Sequence, residues 1–118
     1  MKDLAPHITR KRFMIEGFYK KEVNEMVIRE FFEKVTGELS LRMYSEPIVF
    51  ATGDDGKPEN QGFDAFVPLL DSGISVYVWV AAKFTSIVLY TCKDFDEDRA
   101  LQVVKDFFEI EEAESMLF

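Results

Sequence analysis

Apolar positions along the chain switch between a period of two and a period near 3.6, and the switches divide it into strands and helices. Residues 12–19, RFMIEGFY, set Phe13, Ile15 and Phe18 among Met14 and Tyr19, which suits a strand buried on much of both faces. Over residues 23–39 apolar side chains recur at Val23, Val27, Phe31, Val35 and Leu39, flanked by Met26, Ile28 and Phe32, and this stripe predicts an amphipathic helix. Gly37 is its candidate terminator. The stretch LRMYSEPIVFA reads as an extended segment bent at Pro47.

Residues 52–62, TGDDGKPENQG, collect the Gly, Asp, Pro and Asn of a loop. Three β-rich runs follow, at residues 63–70, 74–81 and 84–91, with breaks at Asp71-Ser72-Gly73 and Ala82-Lys83, so a β-meander is expected. Asp96 suits the cap of a second helix, with Glu97 and Asp98 in its first turn, a stripe of Leu101, Val104, Phe107 and Phe108, and an end near Phe108. The tail EIEEAESMLF fits either a continued helix or a short edge strand.

This order implies one α+β domain over residues 1–118, an antiparallel sheet with two helices packed on one face. In residues 74–81 one face carries Ile74, Val76, Val78 and Val80 and the other Ser75, Tyr77, Trp79 and Ala81, so neither is charged and both are expected to be partly buried. The face away from the helices is expected to pack on a second copy as a two-fold homodimer, or else to form a ligand cleft.

Composition narrows the function classes. A chain of 118 residues with 47% apolar residues and 12 Phe can bury a core of its own. Its net charge of -8 argues against nucleic acid and anionic membranes as partners and tolerates a cationic small molecule. With one cysteine, Cys92, no intrachain disulfide can form, and the N-terminal residues lack the apolar core of an export signal, so a cytoplasmic location is expected. No apolar run reaches the roughly 18 residues of a membrane span, since residues 74–89 are interrupted by Ser75, Lys83, Thr85 and Ser86. There is no Walker loop, no GxGxxG and no Cys/His spacing for a metal, and Asp54, Asp55 and Glu59 lack calcium-loop spacing, so no metal is predicted.

Residues 70–95, LDSGISVYVWVAAKFTSIVLYTCKDF, resemble the prokaryotic S-adenosylmethionine decarboxylases. In that family an acidic residue precedes a self-cleaving serine, a strand with a histidine and a tryptophan follows, and a second strand ends in Thr-Cys before a helix. Asp71-Ser72, Trp79 and Thr91-Cys92 match in kind, order and spacing. The resemblance implies the family's α/β sandwich. It further implies that Ser72, if the chain cleaved itself after Asp71, would become a pyruvoyl group whose carbonyl holds the substrate amine and withdraws electrons as carbon dioxide leaves. Cys92 would return a proton to the substrate carbon, Trp79 would stack on adenine, and Asp71 would stand in the substrate-binding site.

The sequence departs from the family where processing chemistry is done. The histidine base aligns with Tyr77, and a phenol is a poor proton acceptor at neutral pH. The family's Ser-His pair is Ser72-Gly73, a serine that assists processing falls at or near Asp64, and the Pro-Glu after the tryptophan is Val80-Ala81. The only histidine is His7. The favoured reading is therefore a degenerate, unprocessed homologue with no bound cofactor, acting as a binding or regulatory protein with an S-adenosylmethionine-like ligand. The alternative is an active pyruvoyl-dependent decarboxylase of S-adenosylmethionine or another amino acid, serving polyamine synthesis. Taken singly, Asp71-Ser72-Gly73 is an ordinary turn, Cys92 a small buried apolar group and Trp79 a core or interface residue.

Overall fold

The computed structural model describes residues 1–53 and 56–118, so Asp54 and Asp55 of the expected loop lie outside the described residues. The elements are β1 (Lys11–Phe18), α1 (Glu25–Glu38), β2 (Ile48–Thr52), a 3-10 turn (Pro58–Asn60), β3 (Gly62–Leu69), β4 (Ser72–Trp79), β5 (Phe84–Thr91), α2 (Glu97–Phe108) and β6 (Ala113–Leu117). Their strands form one antiparallel sheet in the order β2-β3-β4-β5-β1-β6. The tail is thus an edge strand rather than a continued helix.

Both helices lie on one face, because their buried side chains share a single core cluster with one face of the sheet. Phe13 and Ile15 of β1, Val67 of β3, Ile74 and Val76 of β4 and Ile87 and Leu89 of β5 meet Ile28, Phe31, Phe32 and Val35 of α1 and Val104 and Phe108 of α2. The rings of Phe31 and Phe108 stand 4.8 Å apart at the helix crossing. Phe107 and Leu101, expected in the α2 stripe, are only partly buried, and Val103 takes the deeper place. Met26 is exposed beside the α1 stripe.

The caps explain where the helices stop. Asn24 Oδ1 accepts from the Val27 N–H at 2.9 Å and Asp96 Oδ1 from the Arg99 N–H at 3.1 Å, each satisfying a donor that the first turn leaves free. Gly37 does not terminate α1. Ser40 takes the left-handed conformation at φ 55, and the Leu41 N–H closes the end onto the Thr36 carbonyl at 2.9 Å. Between the helices, Glu38 accepts from Arg99 of α2 and pairs with Lys34 at 3.0 Å, and these two cations hold its carboxyl below the ordinary range.

The first hairpin break is shorter than expected. Leu69 pairs directly with Ser72, leaving only Leu70 and Asp71 as the turn, so Ser72 opens β4 and Gly73 lies within it. Strand β4 ends at Trp79 and Val80 belongs to the next turn. The sheet face away from the helices is uncovered by the chain itself: Phe50, Phe66, Tyr77, Trp79 and Tyr90 are all exposed there. Tyr77 and Trp79 keep well over half of their surface covered, and among the described residues no element of the chain packs over this face.

Candidate functional site

Three of the five residues singled out in the sequence gather at one end of the hairpin between β3 and β4. Asp71 is the second turn residue, Ser72 is cross-strand from Thr91, and the Cys92 N–H donates to the Asp71 carbonyl at 2.9 Å. That carbonyl belongs to the peptide bond joining Asp71 to Ser72. A donor at that oxygen draws electron density from the carbonyl carbon, the direction that favours attack by a nearby nucleophile. Ser72 has a φ of 127, a backbone region that favours glycine, so the same peptide link is under conformational strain.

A strap from the segment after α1 covers this turn. Met43 bridges Leu69, the Leu70 N–H donates to the Arg42 carbonyl at 2.9 Å and the Tyr44 N–H to the Pro68 carbonyl at 2.8 Å. Arg42 Nη2 stands 3.8 Å from Asp71 Oδ1. Asp71 is 7% exposed, and its Oδ2 has no hydrogen-bond partner among the described residues. An unsatisfied carboxylate oxygen this deep is costly to maintain. Arg42 had no sequence signal, because its partner is 29 positions away and meets it only through the strap.

Cys92 is exposed, which corrects the reading of it as a small buried apolar group. The turn that carries it is anchored on both sides. Thr91 Oγ1 donates to the Lys93 carbonyl, Lys93 Nζ donates to the Ser40 carbonyl at 2.8 Å, and Lys11 Nζ pairs with Asp94 at 2.8 Å and Glu97 at 3.3 Å. Burial alone would lower the Lys11 pKa, but its hydrogen bonds to the two carboxylates outweigh it and the net shift is upward; Lys11 in turn holds the Asp94 carboxyl down.

On the open face, Phe66, Ser72, Gly73, Ser75, Val88 and Tyr90 line a hollow of about 360 Å³. Gly73 lets the Phe66 ring approach the backbone: a Cβ there would stand 2.6 Å from two ring carbons of Phe66, which would have to shift. The histidine that follows the serine in the resembling family would displace that ring. A second hollow of about 340 Å³ adjoins it, lined by Ile48, Phe50, Asp64, Phe66, Ser75 and Tyr77, with Phe66 and Ser75 shared between the two.

Tyr77 and Trp79 do not join Ser72. Tyr77 is five residues along β4, about 16 Å at the rise of an extended strand. It lies cross-strand from Asp64 on one side and Ser86 on the other. Trp79 is at the far end of the strand, its ring 5.5 Å from Phe84, which in turn is 5.2 Å from Phe18. His7 is exposed in the segment before β1. Among the described residues no group of three or more His, Cys, Asp or Glu is placed to hold a metal ion, and no helix is long and apolar enough to cross a membrane.

The sequence profile described as S-adenosylmethionine decarboxylase matches residues 18–117. No curated protein matches the chain. Among solved structures, the adenosylmethionine decarboxylase of Aquifex aeolicus is similar with a TM-score of 0.73 at 16% identity, over 94% of this chain and 89% of that one. At that identity the structural likeness shows the fold.

Proposed function

Because the chain belongs to the S-adenosylmethionine decarboxylase family, we propose that it is an unprocessed member of it, a homodimer that keeps the fold and a ligand-binding face without making a pyruvoyl group. The observation that carries this reading is the cross-strand pair Tyr77 and Asp64: by the resemblance, Tyr77 stands where the family has its processing histidine, and a serine that assists processing falls at or near Asp64. The phenol is a weak proton acceptor, and the one imidazole of the chain sits on the exposed N-terminal segment. A pyruvoyl group would supply an electron-withdrawing carbonyl beside a substrate amine. Its precursor Ser72 is present, but the set around it is incomplete.

The homodimer follows from the spacing along β4. Positions 72 and 77 are about 16 Å apart on one strand, so the two groups that the family uses together cannot meet within one chain. A second copy laid on the open sheet face would bring position 77 of one protomer toward position 72 of the other and would cover exposed Phe50, Phe66 and Tyr90. A location in the cytoplasm fits the single cysteine.

One arrangement favours the second reading, an active decarboxylase: the strained Ser72 and the Cys92 N–H on the Asp71 carbonyl are what a self-cleaving link needs. Intact mass spectrometry of the denatured protein separates the two. One species near 13.7 kDa, unreactive with carbonyl reagents after long incubation, is expected. Fragments meeting at Asp71/Ser72, the second one blocked by pyruvate, would overturn the unprocessed reading.

A further inference from the structure

The sheet has two edges, β2 and β6, and they are guarded differently. At β2, Pro47 has no N–H and its carbonyl already accepts from Arg29 Nη1 at 2.9 Å, so the start of that edge is closed to a further strand. Strand β6 carries no proline, no lysine and no bulge, and its register with β1 runs unbroken from Phe13↔Leu117 to Gly17↔Ala113. Its one charged residue is Glu114. Met116 and Leu117 are about half exposed.

The ladder decides which backbone groups β6 offers. The Phe118 N–H donates to the Arg12 carbonyl at 3.0 Å, which makes these two a hydrogen-bonded pair. Antiparallel pairs alternate, so Glu114 and Met116 also bond to β1, and the peptide groups of Ala113, Ser115 and Leu117 point away from the sheet. A second bond fixes the same parity: the Tyr19 N–H donates to the Lys83 carbonyl at 2.8 Å, which turns the odd-numbered groups of β1 toward β5 and the even-numbered ones toward β6. No hydrogen bond among the described residues reaches the outward groups of β6. Such a row of unpaired groups is a template for another strand.

A second copy of β6 fits this template by symmetry. With a two-fold axis at Ser115, Ala113 pairs with the partner's Leu117, Ser115 with the partner's Ser115 and Leu117 with the partner's Ala113, each pair exchanging two backbone hydrogen bonds. Every outward group is then used, and Glu114 lies opposite the partner's Met116. Moving the axis to Glu114 loses a pair and sets two carboxylates directly opposite each other, and moving it to Met116 also loses a pair. We infer that β6 is a self-pairing edge, through which two copies of this chain join their sheets into one about a two-fold axis at Ser115. The contact is separate from the open-face homodimer and independent of whether the Asp71–Ser72 link is cleaved. Because each chain carries a net charge of -8, repulsion opposes the approach and added salt should strengthen the pairing.

The test is light scattering on the full chain as its concentration is raised, at low and high salt. Ser115→Pro removes an outward N–H and leaves the bonds of residues 114 and 116 to β1 in place, while Leu117→Lys sets a charge on the edge. Each should halve the limiting mass with an unchanged circular dichroism spectrum. Phe66→Asp, on the open face, should leave the β6 contact formed. A direct readout comes from Ser115→Cys combined with Cys92→Ser: two thiols on the axis, at the roughly 5.5 Å Cα separation of a hydrogen-bonded pair, should close a disulfide on oxidation. Ala113→Cys in the same background, about 14 Å from its copy, should not. An unchanged mass in both Ser115→Pro and Leu117→Lys, or a disulfide at 113 as fast as at 115, would sink the pairing. A mass that drops only in Phe66→Asp would assign the whole assembly to the open face and sink it equally.

Discussion

The strain at Ser72 can be measured by removing it. Its φ of 127 lies where an L side chain crowds the backbone and glycine does not. A residue held in such a region costs of order 1–3 kcal/mol, and glycine returns about 0.5–1 kcal/mol of that through the greater freedom of its unfolded chain. Ser72→Gly should therefore stabilise the fold by about 0.5–2 kcal/mol. For 118 residues, the unfolding entropy near the midpoint is about 250 cal/mol/K, so Tm should rise by about 2–8 °C. Ser72→Ala removes the hydroxyl but keeps the side-chain crowding, and should stay within about 2 °C of the parent. The assay is differential scanning calorimetry at one fixed protein concentration, because assembly makes Tm concentration-dependent. If Ser72→Gly melts at or below the parent while Ser72→Ala is unchanged, the peptide link is not strained and the argument for stored strain at Asp71-Ser72 fails.

Three further outcomes follow from the packing and the charges. Gly62→Ala places a Cβ 1.7 Å from the Val78 carbonyl oxygen, a backbone atom that cannot move aside without opening the β3–β4 ladder, so a loss of about 3 kcal/mol or more in urea unfolding is expected. Gly73→His, which restores the family's Ser-His pair, drives Phe66 off its seat; it should lose about 1–3 kcal/mol alone, and part of that loss should disappear when Phe66→Ala is added, as a double-mutant cycle would register. Glu38 and Asp94 have carboxyls held below their ordinary range by hydrogen bonds from Arg99 and Lys11. Groups depressed in the folded state contribute stability that is present above their unfolded pKa and is lost as pH falls through the folded one. Stability should therefore fall below about pH 4, and Glu38→Gln should flatten part of that slope in a pH series of denaturation midpoints.

What the sequence revealed and what it hid follow from the range of the forces involved. Periodicity and caps are local, so α1, α2 with its Asp96 cap and the strand runs were legible. The tail was not, because five residues of β6 are settled by pairing with β1, over ninety positions away. Register was the costliest error. A break at Asp71-Ser72-Gly73 pairs Leu70 with Ile74 and would set Asp64 opposite Val80, whereas the observed turn of Leu70 and Asp71 sets Asp64 opposite Tyr77. One residue of turn length thus decided whether Asp64 and Tyr77 were neighbours. The separation of Ser72 from Tyr77 was available from spacing alone: five residues of extended strand span about 16 Å.

The two ends of β4 differ in what else their residues do, and this bears on how the family resemblance is weighed. At the Ser72 end the matching residues are also scaffolding. The Cys92 N–H closes the Asp71 turn, Asp71 is buried under the strap, and Thr91 and Lys93 anchor the following loop. Replacing them disturbs the hairpin whether or not the peptide link ever breaks, so their presence reports the demands of the fold as much as those of chemistry. At the Tyr77 end, the side chains of position 77 and its partner at 64 project from the open face and, among the described residues, make no hydrogen bond of their own; only the backbone there serves the sheet. Side chains there can change without cost to folding, and a base there is kept only by the reaction that uses it. If the resemblance aligns the family's histidine with Tyr77, the departure falls on the side free of structural demand, and that is what supports the proposed reading of a chain that binds without being cleaved.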